Sequence, residues 1–245
     1  MSPARRAPGP CAIFTRAVLV VLLSAAAGCG VTRLQTARTV PRGETQTTVA
    51  ASPVRTGDRG VLPLPSLDLM VRHGATDQVD WGVRLFFGAG ALGDLKWNLL
   101  SPARRTALAL STGIGAALTG DVVVGSGGES SRAGALVHVP VTVSASHALR
   151  SWLTPYAAVG YGSYWIFGYG ARDPAQSYAP RRGTGDGLLT LHAGVELARV
   201  SGRALLLEYT YARPVVNDPG DSYAFAVSQF VSIALHTGRG PLLGR

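Results

Sequence analysis

Between residues 188 and 236 the chain passes through three stretches in which apolar and polar side chains alternate. In the first, Leu189, Leu191, Ala193, Val195 and Leu197 share one parity, and Thr190, His192, Gly194 and Glu196 share the other. A Ser201-Gly202-Arg203 turn leads into the second, where Leu205, Leu207, Tyr209 and Tyr211 alternate with Glu208 and Thr210. Asn217-Asp218-Pro219-Gly220-Asp221 breaks the chain again. A third run over 223–235 then sets Tyr223, Phe225, Val227, Val231, Ile233 and Leu235 against Ala224, Ala226, Ser228 and Ser232. Side chains of an extended strand point alternately to its two faces. Period-two alternation held over about ten residues, hairpin after hairpin, therefore predicts a barrel whose strands cross a membrane.

Upstream, the same pattern predicts strands over 43–52, 66–72, 79–87, 92–100, 106–119, 135–146 and 153–167. Val79, Trp81, Val83, Leu85 and Phe87 oppose Asp80, Gly82, Arg84 and Phe86; Val137, Val139, Val141 and Val143 oppose His138, Pro140, Thr142 and Ser144. The expected fold is all-β: a closed, antiparallel, up-and-down transmembrane barrel of about 8 to 10 strands, ten by this reading, since bacterial barrels take an even number. The links support the same conclusion. The odd-numbered ones, at 53–65, 120–133, 168–187 and 214–222, are longer than the even-numbered ones at 73–77, 101–105, 147–152 and 199–203, with 88–91 the exception. Outer-membrane barrels carry long loops outside and short turns in the periplasm.

Charge placement predicts which face meets lipid. Asp68, Arg84, Lys96, Glu196 and Glu208 lie near mid-strand, where an Arg or Lys facing hydrocarbon costs about 2–4 kcal/mol. The aliphatic faces should therefore point outwards. Asp68, Arg84, Lys96, His192, Glu196 and Glu208 should point inwards as a paired polar network. Trp81, Trp97, Trp152, Tyr156, Tyr164, Trp165, Phe167 and Tyr223 lie towards strand ends, where they suit interfacial girdles.

Composition sharpens this picture. Charged residues make up only 15% of the 245, and 31 Gly with 15 Pro fit many tight turns; a soluble domain carries about 25% charge. The formal charge of +9 is almost all arginine, Lys96 being the only lysine. These arginines are scattered over turns (Arg104 and Arg105, Arg181 and Arg182, Arg203, Arg239) rather than gathered on one face. That pattern excludes nucleic acid as a partner and suits solvated loops beside anionic lipid head groups.

Arg5, Arg6 and Arg16 precede a short apolar run, 17–23, followed by Ser24 and small residues up to Gly28. This is the layout of a secretory signal peptide, too short to span a bilayer as a helix. Ala26-Ala27-Gly28-Cys29 resembles the bacterial lipobox, departing from it at Ala26, where Leu is usual. The resemblance implies acylation at Cys29 and, with Gly30 following, sorting to the outer membrane; plain cleavage is the alternative. The expected organisation is a signal peptide over 1–28, a tether over 29–42, a barrel over 43–237 and a tail over 238–245. With Cys11 inside the signal, the mature chain keeps one cysteine, so no intrachain disulfide and no multi-thiolate metal site can form. Neither metal nor cofactor is expected.

Across the mature chain the pattern resembles small bacterial outer-membrane β-barrel proteins. Members of that class often end on a strand with a terminal aromatic, whereas here 238–245 extends past Leu235. The resemblance implies outer-membrane lipid as the surrounding partner and a structural or interaction role in the envelope. The barrel interior would be largely filled by side chains, and an extracellular ligand would be met through the loops at 120–133 and 168–187. The alternatives are a narrow pore for small solutes and a lipid-tethered, lipocalin-like carrier of an apolar ligand. Some outer-membrane barrels are lipid A-modifying hydrolases using His with Ser or Glu. His192, Glu196 and Glu208 match no such motif, and no enzyme is expected; Asp218 and Asp221 around Pro219-Gly220 read as turn chemistry.

Overall fold

The computed structural model describes residues 33–54, 64–86, 90–123, 130–169, 187–198, 202–215 and 228–238. Ten strands form in order: β1 (Thr45–Val54), β2 (Leu64–Gly74), β3 (Val79–Phe86), β4 (Gly90–Asn98), β5 (Thr106–Val123), β6 (Ser130–His147), β7 (Leu153–Tyr169), β8 (Gly187–Ala198), β9 (Arg203–Val215) and β10 (Ser228–Thr237). Each pairs with its sequence neighbours, and β10 returns antiparallel to β1, with Val49 opposite Leu235, so the sheet closes into the expected barrel. Closure leaves no edge strand whose backbone groups would need partners in hydrocarbon.

The wall is uneven in height. β3 has 8 residues, β4 has 9, and β5 and β6 have 18 each. The expected loop at 120–133 is largely strand: β5 and β6 continue past their apolar alternation and pair Gly120 with Ala133 and Val123 with Ser130. Gly and Ser read as loop residues in sequence, yet an established hairpin ladder extends through backbone hydrogen bonds that need no apolar side chain. In the same way Gly90 and Ala91 belong to β4 rather than to a link. The residues 223–227, Tyr223 among them, lie outside the described residues.

At one rim the strands join through short turns. In the β2–β3 turn the Thr76 hydroxyl accepts from the Val79 amide at 2.9 Å, and in the β4–β5 turn Ser101 accepts from the Arg104 amide at 3.1 Å. The other strand ends, which flank the longest breaks between strands, 170–186 and 216–227, form the opposite rim.

Polarity across the wall is inverted relative to a soluble core. Ile114 is 64% and Val231 60% exposed, and Val49, Leu67, Val83, Leu95, Val141, Leu191, Ile233 and Leu235 are exposed with them. Asp68, Arg72, Asp80, Arg84, Lys96, His192, Glu208 and His236 are buried in the lumen.

The described part of the expected tether is not outside the barrel. From Arg33 to Val40 the segment is almost wholly buried. It leaves the lumen at the short-turn rim, where Arg42 bridges Gly74, and Gly43, at φ 75°, reverses the chain into β1. A positive φ of this kind costs glycine almost nothing.

Candidate functional site: the lumen and its plug

Alternation places one side chain in two of every strand inside the barrel, and the inward parity of this sequence is rich in charge. Arg72 on β2 donates from Nε to Asp80 on β3 at 2.9 Å and from Nη1 to both oxygens of Asp94 on β4 at 2.9 Å. Lys96 on β4 lies 3.4 Å from Asp80. Arg84 pairs with Asp68 across β2 and β3. A charge taken out of water persists only when paired and hydrogen-bonded, and these side chains meet that condition through each other.

The N-terminal segment completes the network. Val40 donates its amide to Asp80 at 2.8 Å. Lys96 donates to the carbonyls of Arg38 at 2.6 Å and Thr36 at 3.4 Å, and to Gln35 Oε1 at 3.3 Å. Near the rim, Arg38 donates to the carbonyls of Arg104 and Arg105, and the Thr39 hydroxyl to the carbonyl of Asp77 at 2.8 Å.

Deeper in the lumen, Glu208 on β9 receives the amides of Arg33 and Leu34, each at 2.7 Å. Leu34 has φ 47°, and a left-handed residue in this position turns successive amides towards one anion. Strain of about 1–3 kcal/mol for a non-glycine residue there is offset by charge-assisted hydrogen bonds. Tyr156 and Thr210 donate to the same carboxylate at 3.0 Å, and His192 Nδ1 lies 3.2 Å from it. Leu34 itself is fully buried against Ala50, Tyr156, Leu206 and Ala234, and Ala37 packs against Ala107 and Ala109.

Of the residues read from the sequence as a polar network, Asp68 and Arg84 form one pair, His192 and Glu208 another, and Lys96 belongs to the Asp80 cluster. Glu196 is partly buried and lines a cavity of about 10 Å³ with Lys96, Arg38 and His236. Arg72, Asp80 and Asp94 complete the charge pairs without having been singled out, although each shares the inward parity of its strand. Arg33 escaped notice because its segment carries no periodicity.

Two girdle assignments need correction. Tyr156 and Tyr164 are 4% and 5% exposed and face the lumen. Both share parity with Ala158, Gly160 and Gly162, opposite Val159, Tyr161 and Trp165. Tyr156 fits because Gly194 faces it across β7 and β8, where any side chain would run into the phenol ring. Trp81, Trp97, Trp152 and Trp165 are exposed on the outer surface. The first three lie towards the short-turn rim. Cys29, Tyr223 and the side chain of Phe167 lie outside the described residues. Among the described residues no group of His, Cys, Asp and Glu is arranged to hold a metal ion.

Beyond the plug, towards the long-loop rim, a cavity of about 70 Å³ remains. Its lining includes Arg33, Arg84, His138, Thr142, Thr190 and His192.

No family model matches the chain, and no curated protein matches it. Among solved structures it is similar to the Yersinia pestis outer membrane protein Ail, at 11% identity and TM-score 0.38, covering 80% of this chain and 99% of that one. It is likewise similar to the COG4313 outer membrane channel from Pseudomonas putida F1, at 10% identity and TM-score 0.42, covering 84% and 99%. Similarity to OmpT of Vibrio cholerae stands at 8% identity and TM-score 0.32, covering 80% and 96%.

Proposed function

We propose that this chain is a bacterial outer-membrane barrel whose lumen is closed by its own N-terminal segment, with a structural or interaction role in the envelope. The observation that carries the reading is the inverted wall: exposed aliphatics at mid-strand outside, buried ion pairs inside. Exposed apolar surface of this extent is stable only against hydrocarbon or a partner, and it encircles the whole barrel. A carrier of apolar ligands needs the opposite polarity. The short-turn rim then faces the periplasm and the longer loops face outwards. An extracellular ligand would meet 124–129 and 170–186, narrower stretches than the sequence suggested; both lie outside the described residues.

A passive pore is disfavoured by residues 33–40, which occupy the periplasmic half of the lumen. An enzymatic role for His192 and Glu208 is disfavoured because Glu208 is already saturated by two amides, two hydroxyls and His192. The lipobox resemblance supports acylation at Cys29, and the plug constrains where that lipid can sit. Cys29 precedes Arg33 by four residues, so it stays within about 14 Å of it, the extended reach of four residues. The chain runs inwards from the periplasmic rim to Arg33, and the space beside it near Lys96 amounts to about 10 Å³. An acyl group on Cys29 and a docked plug therefore constrain each other.

Planar-bilayer recording tests the reading. The protein should insert from detergent and show little conductance, and deletion of residues 33–40 should produce discrete ohmic steps. Steady channels from the intact protein would remove the plug from the proposal. A polypeptide that stays monomeric in water without detergent would remove the membrane as well.

A further inference from the structure

We propose that the cavity beyond the plug is a binding site for a small tetrahedral oxyanion, of phosphate or sulfate size, held by the guanidinium of Arg33. Arg33 is 7% exposed. Its Nη1 donates to Ser111 Oγ at 2.9 Å and its Nη2 to Ser144 Oγ at 3.2 Å. These are neutral partners, and the two hydroxyls lie close to the backbone carbonyls of Thr142 and Ala109. Among the described residues, Arg33 is the buried cation with no carboxylate within ion-pair distance: Arg72 has Asp80 and Asp94, Lys96 has Asp80, and Arg84 has Asp68. Its Nε is buried and takes no hydrogen bond from the protein. A buried guanidinium with no carboxylate in direct contact is costly even with Asp94 and Glu208 nearby, and its planar fork matches the oxygens of a tetrahedral anion.

The surroundings suit that ligand. The cavity of about 70 Å³ is lined by Arg33, Arg84, Thr142, Thr190, His138 and His192. A single water needs about 10–15 Å³ of such space, so the volume admits a small oxyanion. Asp94 also lines the cavity, but both its oxygens are occupied by Arg72 Nη1. Arg33 belongs to the plug, while Ser111, Thr142 and Arg84, which line the cavity with it, belong to the wall. An anion bridging them would pin the plug in place, because a ligand that binds one state stabilises that state. This inference rests on the lumen geometry alone and holds whether or not the barrel resides in the outer membrane.

The test uses the full mature chain folded in detergent. Inorganic phosphate should broaden its phosphorus resonance saturably on addition of protein, sulfate should compete, and phosphate should raise the thermal midpoint. Arg33→Gln removes a charged donor and should weaken binding about tenfold or more, abolishing the thermal shift. Arg33→Lys should restore part of the affinity, and Arg150→Gln, in an exposed turn, should leave it unchanged. The faster migration of unboiled protein in SDS gels confirms that each variant remains folded. Should Arg33→Gln disrupt folding, Ser144→Ala provides the second arm, with a smaller loss of affinity and the plug still held by Glu208. Absence of saturable binding, or equal binding by Arg33→Gln, overturns the site. Saturation by dihexanoyl phosphatidic acid but not by inorganic phosphate would also overturn it and assign the chemistry to a lipid.

Discussion

The two halves of the lumen are built from the same strands and filled in opposite ways. Towards the short turns, Asp80, Arg72, Asp94 and Lys96 interlock, Asp80 and Lys96 also bond backbone groups of residues 36–40, and about 10 Å³ is left open. Towards the long loops the inward positions carry the Asp68–Arg84 pair, hydroxyls, glycines and His138, and about 70 Å³ remains. Glu208 and Arg33 sit at the boundary. The difference shows what a narrow barrel requires of its interior. A lumen of ten strands is slightly too wide for side chains alone, since eight give an interior that side chains just fill. A strand-like segment closes the surplus only where the wall offers acceptors and donors for its backbone. Unsatisfied amides in a dry lumen would cost about 1–3 kcal/mol each, so the plug is held where Asp80, Lys96 and Glu208 meet its backbone.

Substitutions can break this contrast at three points. Glu208→Ala should have the largest effect. It orphans two buried amides and leaves His192 and Tyr156 without their acceptor, a loss of about 3–5 kcal/mol by analogy with a broken buried pair. Urea unfolding in detergent should show it, and residues 33–42 should become cleavable by protease in the folded barrel. Protection as strong as in the parent protein would mean that Lys96 and Asp80 alone hold the plug.

Asp80→Asn keeps the shape of the clustered half while removing the charge shared by Arg72 and Lys96. Asp94 remains for Arg72, so the expected loss is smaller, about 1–3 kcal/mol, read from the same unfolding curves. Equal losses for Asp80→Asn and Glu208→Ala would show that the charged half, rather than the boundary, sets plug stability. Thr142→Val, in the open half, should shift stability by no more than about 0.5 kcal/mol, as expected for a substitution outside a bonded network. A loss approaching that of Asp80→Asn would mean that the open half is structured by contacts of its own.

Much of the barrel was legible in the sequence, for a physical reason. A membrane wall imposes period two on every strand, so parity alone separates Leu191 and Val231 from His192 and Ser232. Parity also held information that position along the strand obscured. Tyr156 and Tyr164 lie near strand ends, as girdle residues do, yet they fall on the inward parity, and Gly194 makes room for the first. Strand ends were less legible where β5 and β6 run on through Gly120 and Ser131, because backbone ladders extend without side-chain instruction.

By itself, then, the sequence determined a closed ten-stranded wall with greasy exterior and charged interior, because hydrocarbon and lumen act on single side chains in a fixed rhythm. Only the tertiary structure decided that residues 33–40 fill that interior. Their places depend on Glu208, Asp80 and Lys96, each at least 40 positions from the residue it holds, and on how strand register brings those three to different depths of one lumen. A segment held through its backbone leaves no pattern in its side chains, and so none in the sequence.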